Sequence, residues 1–375
     1  MTVDVYGSGR AGLACATILA RAGYAVRVHD SDAGAYDSYE AFDASATGAL
    51  RTLGVDPFAA CGARAVRGFN GSEYVVARRG RVRDALLDVA RGAGVAIGRT
   101  HVDANANAWV VDATGRSALR TPVERETAAV AYLFDGPPAT ALTMLRAPFG
   151  WGYRIGDERG STVGVIAARP FATEAAARAW AHSAFGVALS AAPATRRAAS
   201  VQRCARPIDG RTLAVGDAAF APDPMTGQGQ SFALTSAALA AATIRTCVER
   251  PARDALARAF YTDAVTRAAR VDARDHASGG ARAVDLDASY VFAGEVRSGA
   301  VLHDGLIDEV PVVAWDGRQG RWSAGVDLLD VAAACPSASA GWHVIDRLAR
   351  RGIEPDRAVA VVSRAIARGL LRPAS

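Results

Sequence analysis

Apolar and polar positions change period along this chain, and the changes mark its elements. Residues 3–6 read as a short buried strand. An Ala/Leu-rich stretch from 13 to about 22 reads as a helix and stops at Gly23. Residues 24–29 alternate as a second strand that ends at Asp30. Strand, helix and strand make a βαβ unit. Residues 110–115 read as a further strand. Runs at 128–134, 141–145 and 161–167 lean to strand, broken by turns such as Asp135-Gly136-Pro137-Pro138, and a helix is expected over 173–184. A strand at 211–215 leads into a Pro/Gly loop at 222–229 and an apolar helix from about 231 to 245. Residues 252–275 read as a long helix with Arg and Asp at ion-pairing spacings. Ser278-Gly279-Gly280 is a break. Beyond it, 290–313 read as short strands and 326–335, 340–351 and 356–368 as three helices.

The first turn carries chemistry. In Gly7-Ser8-Gly9-Arg10-Ala11-Gly12, Gly7 permits the tight turn, Gly9 lets the backbone approach a pyrophosphate, and Gly12 lets helix and strand pack closely. The helix start offers N–H groups and a positive dipole end to that pyrophosphate. Asp30 is placed to accept hydrogen bonds from ribose hydroxyls, which favours FAD or NAD over NADP.

Three motifs in order, GSGRAG (7–12), DATGR (112–116) and GDAAFAPDPMTGQG (216–229), resemble the group A flavin-dependent monooxygenase and flavin-dependent halogenase superfamily, with its p-hydroxybenzoate-hydroxylase-like fold. The resemblance spans residues 1–275. It implies an α/β chain in which a Rossmann-like FAD-binding domain (1–120 and 200–280) carries an inserted mixed β-sheet substrate domain (121–199). It also implies site roles. Asp217 holds the ribityl hydroxyls, Pro224 lies beside the flavin C4a locus, and the backbone of Gly227, Gln228 and Gly229 contacts the ring. The helix start after them stabilises a reduced, anionic flavin. Arg79 reaches the FAD phosphate or ribityl region, with Arg78 an equal candidate one register away. Trp151 and Tyr153 read as walls of a substrate cavity, flavin neighbours or core aromatics. The activity implied is oxidation of an electron-rich, aromatic or indolic biosynthetic substrate through a flavin C4a-hydroperoxide. A dehydrogenase or reductase on the same scaffold, a flavoprotein that modifies a peptide- or carrier-bound substrate, and a non-catalytic binding protein stay open. With no second GxGxxG unit, NAD(P)H acts transiently at the flavin or a separate flavin reductase supplies electrons.

The chain departs from the family in three places. All 43 Lys and Arg residues are arginine, so a lysine-dependent halogenation has no residue to run on. The halogenase Trp-x-Trp-x-Ile-Pro signature is met at Trp151 and Ile155 but not at Tyr153 and Gly156. Phe220 stands where the aromatic hydroxylases usually carry His.

Residues 281–375 change character, and strands followed by three short helices suggest a small α+β module. It is read as winged-helix-like, as a peptide, carrier or dimer contact, or as a lid on the flavin core. Half of the residues are apolar, 22% are charged and the net charge is +5. The arginines are dispersed and no nucleic-acid module is recognised. Five cysteines without a C-x-x-C pair suit a reducing cytoplasm, and six histidines show no metal-ligand spacing. The first strand begins too early to leave a signal peptide. The apolar helix near 232–244 is read as too short and too rich in Thr and Ser to span a bilayer.

Overall fold

The structure, a computed structural model, describes residues 1–30, 37–68, 73–99, 108–125, 129–168, 173–275 and 285–374. The break expected at 278–280 lies outside them. The chain separates into two compact units, Met1–Arg245 with Tyr261–Ala273, and Thr246–Phe260 with Arg274–Ser375.

The first unit is built on a six-stranded sheet in the order Ile208–Asp209, Thr212–Ala214, Trp109–Asp112, Thr2–Tyr6, Ala25–His29, Ala96–Gly98. All neighbours are parallel except the first pair. Val5 sits between Val28 and Val111, with Leu213 next to Val111, and all four are buried. Beside this row Asp4 pairs with Arg27, so the strands Thr2–Tyr6 and Ala25–His29 alternate rather than run continuously apolar. The expected helix begins earlier than its apolar period, at Arg10, and runs to Arg21.

A second sheet has the order Thr143–Ala147, Gly150–Asp157, Gly160–Ala168, Ala129–Gly136, Thr195–Ala198. Its pairings are all antiparallel, not mixed as expected. One face packs Val130, Tyr132, Phe134, Val163 and Val165 under the helix Glu174–Phe185. The other carries Ala131, Leu133, Trp151, Tyr153 and Ile166. The strand Gly150–Asp157 ends at Asp157, 3% exposed. Its carboxylate accepts from Tyr39 Oη (2.7 Å) and from Arg159 N and Nε (2.8 and 3.0 Å). Burial pushes this carboxyl up, but the Arg159 and Tyr39 hydrogen bonds outweigh it and hold it below its ordinary 3.8. Its stabilisation is therefore complete above that value and lost as pH falls through the lower, folded one. Asp157→Asn is expected to cost about 1–3 kcal/mol at pH 7. Thermal melts of both proteins should converge as the pH is taken below the carboxylate range.

The apolar helix is Gly229–Glu249, longer than expected, and by length and composition it could cross a membrane. Its Thr and Ser do not interrupt it: Thr243 Oγ1 returns a hydrogen bond to Leu239 O and Ser236 Oγ to Ala233 O. Its apolarity has a local use, since Leu234, Ala237, Ala240, Ala241 and Ile244 are all buried within the protein.

The second unit holds a hairpin, Glu295–His303 and Leu306–Trp315, rather than several short strands. Asp304 and Gly305 form its two-residue turn, both with positive φ, the geometry that matches strand twist. Three helices follow, Leu328–Ala334, Gly341–Arg350 and Pro355–Ala367, close to the expected spans. Val313, Leu328, Val331, Val344, Leu348 and Val361 form their common core. The chain ends in a strand not foreseen, Leu371–Pro373, paired with Ser289–Phe292. All five cysteines are buried and unbonded to one another. Burial pushes their thiols up, to about 12 for Cys15 and Cys247 and about 11 for Cys61.

Candidate functional site

The turn from 7 to 12 is shaped by contact with the neighbouring strand end. Gly7 has φ +107°, and a Cβ there would lie 2.3 Å from Ala113 O. A Cβ on Gly12 would lie 2.0 Å from Gly7 O. Gly9 differs: a Cβ there meets nothing within 4 Å, because it faces a cavity. The helix after it has no side-chain cap, so its first-turn N–H groups point outward unengaged by a capping side chain.

That cavity, about 390 Å3, lies within the first unit. Of the residues singled out from sequence, Gly9, Arg79, Trp151, Tyr153, Asp217, Pro224, Gly227 and Gly229 line it; Gly7, Gly12, Asp30 and Gln228 do not. Asp30 stands at the end of the strand Ala25–His29, its carboxylate 2.6 Å from Arg83 Nη2, which also donates to Ser8 Oγ (2.8 Å). The two candidate arginines part company. Arg79 opens the helix Arg79–Gly92 and turns into the cavity, whereas Arg78 stacks over the Tyr39 ring at 4.5 Å.

The motif 216–229 folds as two single 3-10 turns, Gly216–Ala218 and Pro224–Thr226, between which Phe220 is buried edge-on to Phe232. Asp217 faces Arg116 Nε at 3.4 Å. Arg116 also donates to Ser200 O and to Pro222 O (3.3 Å), tying the loop to the wall. A Cβ on Gly227 would meet nothing, and one on Gly229 only Pro222 Cγ at 4.0 Å. The helix Gly229–Glu249 starts there.

Trp151 and Tyr153 are two residues apart on one strand and so share a face, with ring centroids 5.8 Å apart. Burial raises the Tyr153 phenol well above its ordinary value, and nearby Glu40 adds to this, so it stays protonated at neutral pH.

Sequence reasoning missed Glu40, Arg10, Arg197 and Gln230. Glu40, on the strand Tyr39–Phe42, is met by Arg10 at 2.6 Å, by Gln230 Nε2 at 3.1 Å and by Arg79 at 3.6 Å. No local pattern links these residues; only Arg10 sat inside a quoted motif, and Gln230 directly follows another. Among the described residues no group of His, Cys, Asp and Glu could hold a metal.

No protein-family model matches the chain, and no curated protein matches it. Solved structures do. QhpG, a peptidyl tryptophan dihydroxylase essential for tryptophylquinone cofactor biogenesis, superposes with TM-score 0.69 at 23% identity over 98% of this chain and 99% of its own. CmlS, a flavin-dependent halogenase, gives 0.68 at 14% identity over 99% and 95%. The chain has the fold of these two enzymes. P. aeruginosa PqsL, solved with 2-aminobenzoylacetate, matches at 0.60 and 15% identity over 74% of this chain and 95% of its own.

Proposed function

We propose that the chain is an FAD-dependent monooxygenase acting on an aromatic, indolic substrate. One observation carries the reading. A single cavity is bounded by the bare backbone of Gly9, Gly227 and Gly229 with Asp217, and by the paired rings of Trp151 and Tyr153. The glycine-lined wall suits a flat dinucleotide, since its Cβ positions open onto the cavity.

The residues would divide the work as follows. The first-turn N–H groups of Arg10–Arg21 face the diphosphate. Asp30, held by Arg83, accepts ribose hydroxyls, and Asp217, held by Arg116, accepts ribityl hydroxyls. Arg79 reaches toward the phosphate and ribityl region. The backbone of Gly227, Gln228 and Gly229 meets the ring, and the helix start at Gly229 favours negative charge there. When bound, FAD supplies reducing power for O2, one oxygen atom passing to the substrate and the other leaving as water. Pro224 fills the loop beside that position and helps exclude water. Trp151 and Tyr153 hold the substrate ring by stacking, and the protonated Tyr153 hydroxyl donates a hydrogen bond.

The resemblance to QhpG, a dihydroxylase of peptidyl tryptophan, supports an indolic substrate and hydroxylation. Its match over nearly the whole chain also favours a substrate presented on a peptide or carrier. The ligand in PqsL is likewise aromatic. Lysine-dependent halogenation is set aside because the chain has no lysine. NAD(P)H or a partner flavin reductase supplies the electrons.

The test is a single turnover. FAD-loaded protein is photoreduced, then mixed with isotopically labelled O2 and a panel of free and peptide-bound indoles. The expected product gains one labelled oxygen atom by mass spectrometry. Reoxidation with a desaturated product and no label would replace the oxygenase with the dehydrogenase reading.

A further inference from the structure

Among the described residues, the cavity wall that carries Trp151 and Tyr153 also carries a cation, Arg197, without an ion-pair partner. Cross-strand pairing sets Trp151, Ile166, Ala131 and Arg197 in one row on the same face of the antiparallel sheet. Three strand spacings put the two ends of this row about 14 Å apart. The residues between are apolar, and Ala131 is small. The next row helps to open the strip. Tyr153 stands opposite Gly164, where a Cβ would lie 2.2 Å from the tyrosine ring, so the ring leans across that strand. The result is a flat apolar floor of a size to seat an aromatic ring, with aromatic side chains at one end and a guanidinium at the other.

Arg197 is poorly provided for. Its Nε is buried with no hydrogen-bond partner, and no ion pair reaches its side chain among the described residues. Glu40, the carboxylate acting on it, is already engaged by Arg10, Arg79 and Gln230. Arg79 and Arg10 repel it, and burial disfavours its charge. Guanidinium stays protonated regardless. A half-buried cation left unpaired is costly, and a carboxylate would supply a bidentate, charge-assisted partner. The buried Gln230 Oε1, also without a partner, lines the same cavity as a second open polar group.

We propose that Arg197 receives a carboxylate borne by the aromatic substrate. The proposal rests on the oxygenase reading for the ring's position over Ala131 and Ile166, and adds the charge of the substrate class. The carboxylate belongs either to a small free acid or to an acidic residue beside an aromatic one in a peptide.

Calorimetry tests this with two matched pairs, indole-3-acetate against indole-3-acetamide, and acetyl-Trp-Asp-amide against acetyl-Trp-Asn-amide. The FAD-saturated protein should prefer the acid in at least one pair by about 10-fold to 100-fold, and the pair that discriminates names the source. Arg197→Met should erase the preference while FAD affinity stays at the wild-type value, and Arg197→Lys should restore part of it. Equal binding of acid and amide in both pairs, or binding of neither, overturns the proposal. So does loss of FAD in both Arg197 variants, which would make the residue a cofactor ligand. Heat of binding does not need flavin colour. A wild-type protein that takes up no FAD yet still prefers the acids through Arg197 would sink the flavin reading and leave the carboxylate site standing.

Discussion

Gly12→Ala should lower the melting temperature of the Met1–Arg245 unit and strip it of FAD, whereas Gly9→Ala should weaken FAD binding alone. The two glycines sit three residues apart in one motif, yet the space around them is opposite. The new methyl carbon at position 12 would lie 2.0 Å from Gly7 O and 3.0 Å from the Ala113 Cβ. The first neighbour is backbone in a turn that is itself pinned against Ala113, so no flexible side chain can give way. Helix and strand must separate, at a cost of about 1–3 kcal/mol or more for overpacking. The separation also moves the N–H groups that would meet the diphosphate. At position 9 the methyl carbon meets no protein atom within 4 Å and the backbone φ is an ordinary −73°. Any penalty there falls on the ligand. Thermal melts of the apo proteins and FAD titration by flavin fluorescence separate the two effects. Equal melting losses at both positions would refute the argument.

Asp217→Ala should empty the flavin site without unfolding the protein. The carboxylate's side chain is 37% exposed and faces the cavity across from Arg116. Arg116 keeps the carbonyls of Ser200 and Pro222 when the carboxylate is removed, so the loop stays tied down. What is lost is a charged acceptor for hydroxyl groups, each such hydrogen bond being worth about 1.5–3 kcal/mol. FAD affinity should fall about 10-fold to 100-fold or more, and the purified protein should be colourless. The apo melting curve should stay close to wild type. Full flavin occupancy in this variant would remove Asp217 from the site.

The parts of this molecule that sequence makes legible are those whose cause is local. The 7–12 turn is one, because each glycine answers a steric demand made within a single βαβ unit. Trp151 and Tyr153 are another: a spacing of two on a strand fixes a shared face, though not which face meets the cavity. The hairpin 295–315 was within reach, since Asp304-Gly305 is a turn signal that was passed over. The helix passes the expected end at 245 and runs to Glu249, because no helix-breaking residue stands before Pro251. Glu40 and Arg197 could not have been found. They come from separate strands of different sheets, flanked by nothing that marks chemistry, and acquire meaning only where topology sets them near Arg79 and Tyr153.

Oxygen chemistry that misfires releases peroxide, and a protein that hosts it must survive its own by-product. Thiolate is the form of cysteine that peroxide attacks. With every thiol buried and held protonated, the chain offers that oxidant no ready sulfur nucleophile. Two methionines are exposed, Met1 and Met225. Met225, 43% exposed, sits in the loop that borders the cavity. Under the proposed oxygenase reading, peroxide released in the cavity meets Met225 at its rim, and oxidative wear should show there as a thioether turned polar beside Pro224, and not in the core.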